Sequence, residues 1–295
     1  ADMEKEVLRL ERELFKQKYR PGRYKKIEIH DPKHRIVSAA PFPDRVVHHA
    51  LYAVIGPIFE SGFIPDSYAN RVGKGTHRAV DRYEEFSRRF SHVLRCDIFR
   101  YFPAIDHTIL KGDIRRRLSC PRTLWLCDSI IDGSNAQEPV NLHFGGDDLF
   151  APYERRRGLP IGNLTSQFFA NLYLDRVDHF VKEVLQAKGY VRYADDFALF
   201  HDDPLVLADW QERLVKFLDR RRLRLHPQKT EIRETTKPAV FLGYEMSPGK
   251  RRLPEDNIRR FRNRLRGLRD RWRAGMVVRQ HLHEPLHARG RGWRG

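Results

Sequence analysis

The sequence predicts an α+β protein, with helices and short antiparallel strands alternating before a helical C-terminal module. Three observations carry this. Apolar residues recur at helical spacing in several segments; short β-branched and aromatic runs come in pairs around turn residues; and from Pro254 an arginine-coated apolar stripe takes over. Residues 3–18 place Val7, Leu10, Leu14 and Phe15 on one helical face. Residues 24–29 and Arg35-Ile36-Val37 read as a basic strand pair around a turn at Asp31-Pro32. Residues 44–59 predict a helix striped by Val47, Leu51 and Ile55. A loop ending in Gly73-Lys74-Gly75-Thr76 leads to a helix over 77–90, and residues 92–98 form a strand ending on an acid. Residues 104–131 read as mainly helical, and 132–157 as a loop-rich excursion.

After Gly158-Leu159-Pro160-Ile161-Gly162 a helix begins near Ser166. It keeps period through Phe169, Tyr173, Val177, Phe180 and Val184 until Gly189 stops it. Two short strands, 190–193 and 197–200, then flank an acidic tip. Pro204 opens a helix carrying Leu207, Leu214 and Leu218. Strands are expected over 223–232 and 240–246. Ile258, Phe261, Leu265, Leu268 and Trp272 form the last stripe, with eight arginines between 259 and 273 on the other face. The final ~15 residues carry no period and are assigned no structure.

The charge narrows the function. Fifty-six Lys and Arg against 39 Asp and Glu leave +17 and a pI near 10.0, which points to a polyanionic partner, nucleic acid above all. A 40% hydrophobic composition is globular. Three cysteines without a Cys-x-x-Cys pair exclude a disulfide framework and a zinc finger, and the 14 histidines lack acidic or thiol partners at ligand spacing. No apolar run reaches the ~18 residues of a membrane span, and the first helix is charged, so a cytoplasmic protein with no membrane partner is expected.

Chemistry concentrates at Tyr193-Ala194-Asp195-Asp196. A hairpin tip holds adjacent carboxylates at one exposed point, and Asp97, at the end of a hydrophobic strand, can converge on them. Two or three carboxylates from different elements are what a pair of Mg²⁺ ions needs for phosphoryl transfer. Asp is also a common turn and cap residue, so the residues alone leave both readings open.

The surrounding motifs resemble those of reverse transcriptases. Cys96-Asp97-Ile98-Phe99-Arg100-Tyr101-Phe102 is similar to their motif A, and residues 158–167 resemble motif B. Arg192-Tyr193-Ala194-Asp195-Asp196 resembles the motif C box, while His226-Pro227-Gln228-Lys229-Thr230 and Phe241-Leu242-Gly243-Tyr244 match the two motifs that follow. The resemblance implies a right-hand polymerase fold. Fingers with the N-terminal helix are expected over 1–90, palm over 91–247 with an insertion at about 132–157, and thumb plus basic tail over 248–295.

It further implies that Asp97, Asp195 and Asp196, with the Ile98 backbone, bind two Mg²⁺ ions, Mn²⁺ being an alternative, and that Lys229 protonates the departing pyrophosphate. Lys33, Arg35, Tyr101, Phe102, Ile161 and Gln167 would contact the dNTP, with Phe102 excluding a 2′-hydroxyl. Tyr193, Leu242, Gly243, Tyr244, Arg262 and Arg266 would contact primer and template.

Within motif B, Ile161 and the Ser166-Gln167 ending look like the enzymes of diversity-generating retroelements, a bacterial or phage-encoded subfamily related to group II intron enzymes. That subfamily copies template adenines with errors and works with a structured template RNA and a small basic accessory protein. Group II intron-like, CRISPR-associated and phage-defence reverse transcriptases are the alternatives, with a catalytically inactive RNA-binding protein behind them. Ala194, where many relatives carry Met, departs from the pattern.

Overall fold

The computed structural model describes residues 3–29, 35–134 and 140–273. Lys33 and the predicted Asp31-Pro32 turn, the middle of the expected insertion and the basic tail lie outside the described residues. The chain opens with α1 (Met3–Phe15), the antiparallel pair β1 (Lys25–Ile29) and β2 (Arg35–Ala39), then α2 (Phe42–Glu60) and α3 (Thr76–Arg89). Next come β3 (His92–Asp97), a single turn α4 (Tyr101–Ala104), α5 (His107–Arg115), α6 (Pro121–Asp132) and a single turn α7 (Ala151–Glu154). The second half holds α8 (Leu164–His179), β4 (Gly189–Tyr193), β5 (Asp196–His201), α9 (Pro204–Arg220) and β6 (Glu231–Glu234). The short strands β7 (Ala239–Phe241), β8 (Tyr244–Ser247) and β9 (Lys250–Arg252) lead into α10 (Glu255–Arg273).

A four-stranded antiparallel sheet, in the order β4-β5-β3-β6, organises the molecule. The middle of its central strand β5, Phe197 to Phe200, is apolar at every position because both faces are covered. Leu94, Cys96, Tyr190, Phe197 and Leu199 pack with Leu207, Leu214 and Leu218 of α9 and with α8. The alternating residues Val93, Val191, Ala198 and Phe200 pack with Val80, Tyr83 and Phe86 of α3 and with Phe241 and Met246 of the second sheet, β7-β8-β9. By the two-residue period of a strand, Arg95, Asp97 and Asp196 belong to this second face, at its open end.

Three predicted elements differ, one of them the strand expected over 240–246, which is the hairpin β7-β8 turning at Leu242-Gly243. The helix expected to run to Gly189 is α-helical only to His179; a π-helical turn over Phe180–Val184 follows, closed by the Leu185 N–H donating to the Phe180 carbonyl at 3.0 Å. The wider turn re-phases the stripe, so that Val181 is buried while Phe180 stacks on Phe217 at 4.2 Å. The strand expected over 223–232 survives only as β6. Leu225 makes one bridge to Ile98, and Pro227 then breaks the ladder into a turn, with the Lys229 and Thr230 N–H groups both donating to the His226 carbonyl.

α8 is buried on nearly every side, and it carries Asp175 and Asp178 inward. Asp178 is paired with Arg192. Asp175 has a buried Oδ1 without a hydrogen bond, and burial, set against His179 and reinforced by the Asp178 charge, pushes its pKa up to about 6. The fold therefore favours the protonated acid, so its stabilising contribution is lost as pH rises from about 4 through about 6. Asp175→Asn is expected to be more stable than wild type at pH 7.5, the advantage shrinking towards pH 4.5. Urea denaturation at both values checks this; an equal difference at both would show that Asp175 is ionised in the fold.

Candidate active site

Strand register brings the acids together. Asp97 pairs with Asp196 across β3 and β5, and the Ile98 N–H donates to the Asp195 carbonyl at 3.3 Å. Tyr193 pairs with Asp196, so Ala194-Asp195 is a two-residue hairpin tip. Ala194 sits at φ 54, left-handed backbone that costs a non-glycine residue roughly 1–2 kcal/mol. The backbone of Asp97 is held from the other side, its carbonyl accepting the His226 N–H at 2.7 Å.

The electrostatics follow from this crowding. Asp196 has its pKa pushed up to about 7, mainly by burial; Arg95 opposes the shift, and the charges of Asp195 and Asp97 add to it. Lys229 Nζ lies 2.9 Å from Asp97 Oδ2. Carboxylates so crowded that one keeps its proton near neutrality form an all-oxygen donor set suited to a hard divalent cation. Among the described residues no three such side chains are already closed around one ion position, and Asp97 is engaged by Lys229.

The other expected residues are distributed around this corner. Ile98 is buried, bridged to Leu225. Phe102 is half-buried on α4, and its carbonyl accepts the Leu159 N–H, tying motif A to the start of motif B. Tyr101 is a core residue, 2% exposed, with its hydroxyl donating to the Ala170 carbonyl, so its side chain is committed to the core and only its backbone is left to face a nucleotide.

Ile161 and Gln167 are half-buried. The Ile161 carbonyl accepts the Ser38 N–H at 2.8 Å, and Asn163 bonds both the Ser38 carbonyl and the Ala40 N–H, stitching this loop to β2. Gly162 is obligatory there: it has φ +109, and a Cβ would lie 2.6 Å from Val37 Cγ1. Arg35 opens β2, its backbone paired with Ile29.

On the sheet's second face Tyr193, Leu242 and Tyr244 each pack against the buried cluster, and the Thr76 hydroxyl donates to the Tyr193 hydroxyl at 3.1 Å. Leu242 and Gly243 form the turn between β7 and β8, both with positive φ (48 and 84). Asn257 of α10 donates to the Gly243 carbonyl at 3.3 Å, placing the start of α10 beside that turn. Arg262 and Arg266 are exposed on α10 with Arg259.

A reverse transcriptase (RNA-dependent DNA polymerase) family profile matches residues 25–246, which includes every one of these motifs. The chain belongs to the reverse transcriptase family. It is 24% identical over 253 residues to Protein YkfC of Escherichia coli (strain K12), covering 73% of this chain and 64% of that protein. Among solved structures it superposes on telomerase from Candida albicans in complex with a TWJ fragment of telomeric RNA. The TM-score is 0.52 at 14% identity, covering 78% of this chain and 44% of that one. Apo telomerase from Candida tropicalis gives a TM-score of 0.51 at 14% identity, covering 77% and 53%. The chain thus spans less than two thirds of the length of these relatives, and the likeness establishes a right-hand polymerase fold. No described helix is long and apolar enough to cross a membrane.

Sequence reasoning about this reverse transcriptase fold missed Arg95 and Asn163. Arg95 is the stronger of the two cations, with Lys229, that oppose the Asp196 shift, and its Nη2 donates to the Val240 carbonyl of β7 at 2.6 Å. Its signal was present as two-residue spacing from Asp97. Asn163 had no such signal, because its partners are more than 120 residues away.

Proposed function

We propose that the chain is an RNA-directed DNA polymerase that extends a primer with dNTPs by nucleotidyl transfer. The observation that carries this reading is the backbone register that sets Asp97 opposite Asp196 on paired strands, with Asp195 in the adjoining hairpin tip bonded to Ile98. Fingers over 1–90, palm over 91–247 and thumb over 248–295 accommodate the elements described. RNA as template is supported by the family and by the telomerase neighbour bound to telomeric RNA.

Asp97, Asp195 and Asp196 would hold two Mg²⁺ ions, with the Ile98 backbone nearby; such ions acidify the attacking hydroxyl and neutralise the triphosphate. The primer's 3′ hydroxyl loses its proton to solvent as its oxygen bonds the α-phosphorus, the bond to pyrophosphate breaks, and Lys229 supplies the leaving group's proton. Phe102 lies under the sugar. Arg35, with Lys33, clamps the triphosphate, Arg by its bidentate fork. Ile161 and Gln167 flank the incoming nucleotide. Tyr193 and the Leu242-Gly243-Tyr244 turn seat the primer end, and Arg262 and Arg266 on α10 neutralise backbone phosphates.

The finer reading is an error-prone enzyme of a diversity-generating retroelement, served by a small basic accessory protein. Its support is Ile161, whose aliphatic side chain cannot hydrogen-bond the sugar or backbone beside it. Ile161→Gln is expected to lower misincorporation opposite template adenine by about fivefold, the equivalent of one net hydrogen bond of ~1 kcal/mol. Primer extension on a defined RNA with Mg²⁺, followed by sequencing of the cDNA, tests both levels. Absence of extension would sink the polymerase reading. Uniform errors at all four template bases would favour a group II intron-like, CRISPR-associated or phage-defence enzyme.

A further inference from the structure

Arg192 precedes the acidic box and is the largest fully buried side chain among the described residues, 1% exposed. Its guanidinium is satisfied in three directions. Nε and Nη2 grip Asp178 of α8 in a bidentate pair at 2.7 and 2.6 Å. Nη1 donates to Asn171 Oδ1 and to the Ala194 carbonyl, each at 3.1 Å. The acceptors are themselves anchored, since the Tyr190 hydroxyl donates to Asp178 Oδ1 at 2.7 Å and Asn171 donates to the Ala69 carbonyl at 2.6 Å. The backbone of Arg192 is fixed as well, by the Asp66 carbonyl and the Tyr68 N–H, each at 2.9 Å.

A buried ion pair is weak grounds for stability, because a well-packed apolar pair serves as well. What an apolar pair cannot supply is the arm to Ala194. That residue is the left-handed one immediately before Asp195, so its peptide plane sets where the Asp195 carboxylate starts. A lysine could satisfy Asp178, but a single ammonium cannot span Asp178, Asn171 and the Ala194 carbonyl together.

We propose that Arg192 is a positioning residue for the metal site, holding the hairpin tip through the Ala194 carbonyl so that Asp195 is presented beside Asp97 and Asp196. The proposal rests on the polymerase reading and extends it to a residue that touches neither nucleotide nor metal. Two variants test it. Arg192→Lys keeps the buried ion pair. Arg192→Met combined with Asp178→Asn removes both charges at once and leaves Tyr190 an acceptor, so no uncompensated charge is buried.

Mn²⁺ binding is followed by electron paramagnetic resonance, with the Asp195→Ala, Asp196→Ala protein as baseline, and primer extension is measured in parallel. In variants that melt cooperatively, the Mn²⁺ dissociation constant is expected to rise about fivefold, the loss of one hydrogen bond. Turnover is expected to fall about a hundredfold through misplacement, with KM for dNTP little changed. Variants that match wild type in both measurements overturn the role of Arg192. Wild type that binds Mn²⁺ at this site yet extends no primer counts instead against the polymerase reading.

Discussion

Primer extension by the Asp195→Ala, Asp196→Ala double variant is expected to fall by about three orders of magnitude or more. The two residues are two of the three acids that strand register brings to the sheet's open corner, and charge stabilisation by metals held there would be worth several kcal/mol in the transition state. The fold should survive the change, and for a stated reason. The Asp196 pKa is pushed up to about 7 by burial and by the neighbouring acids, so the fold disfavours its ionised form at neutral pH. Removing it relieves that crowding, and thermal melting at pH 7.5 should show a variant at least as stable as wild type. A variant that melts normally and still extends primers at the wild-type rate would refute the assignment of the site.

Phe102→Val is expected to raise NTP incorporation relative to dNTP by on the order of 10–200-fold, the range that one small change of pocket volume gives. Phe102 lies five residues beyond Asp97 on α4, and Leu159 at the start of the motif B loop bonds its carbonyl. The ring is half-buried and packs against the main core, edge-on to Tyr101. The competing role is therefore plain packing. Single-turnover incorporation of matched dNTP and NTP opposite one template base separates the two. Unchanged sugar selectivity, accompanied only by lower thermal stability, would leave Phe102 as a core residue.

Much of this could be read in the chain because the signals were local. Helical periods located α2, α3, α9 and α10 to within a few residues, and paired apolar runs around Ala194-Asp195 located β4 and β5. The signals failed where a distant partner decided the outcome. Phe180 and Val184 continue the helical stripe in sequence, yet the helix widens there as Phe180 stacks on Phe217. Residues 223–232 look extended, but Pro227 withholds a donor and only β6 reaches β3. The inward turn of the Tyr101 side chain, its hydroxyl on the Ala170 carbonyl 69 residues away, had no local signal either.

The amino-acid order by itself determined the family, through the motifs around Asp97, Asp195 and Asp196 that carry the proposed chemistry, and the basic character suited to nucleic acid. Only the tertiary structure decided how that chemistry is held. It placed Asp97 opposite Asp196, gave Lys229 to Asp97, put Arg95 beside the acids, joined the Ile161 loop to β2 through Asn163, and buried Arg192 between α8 and the hairpin tip. The physical reason is one of range. Periodicity and turn chemistry act over a few residues and are written into neighbours, whereas register, burial and the pairing of a hidden charge depend on which distant segments exclude water together.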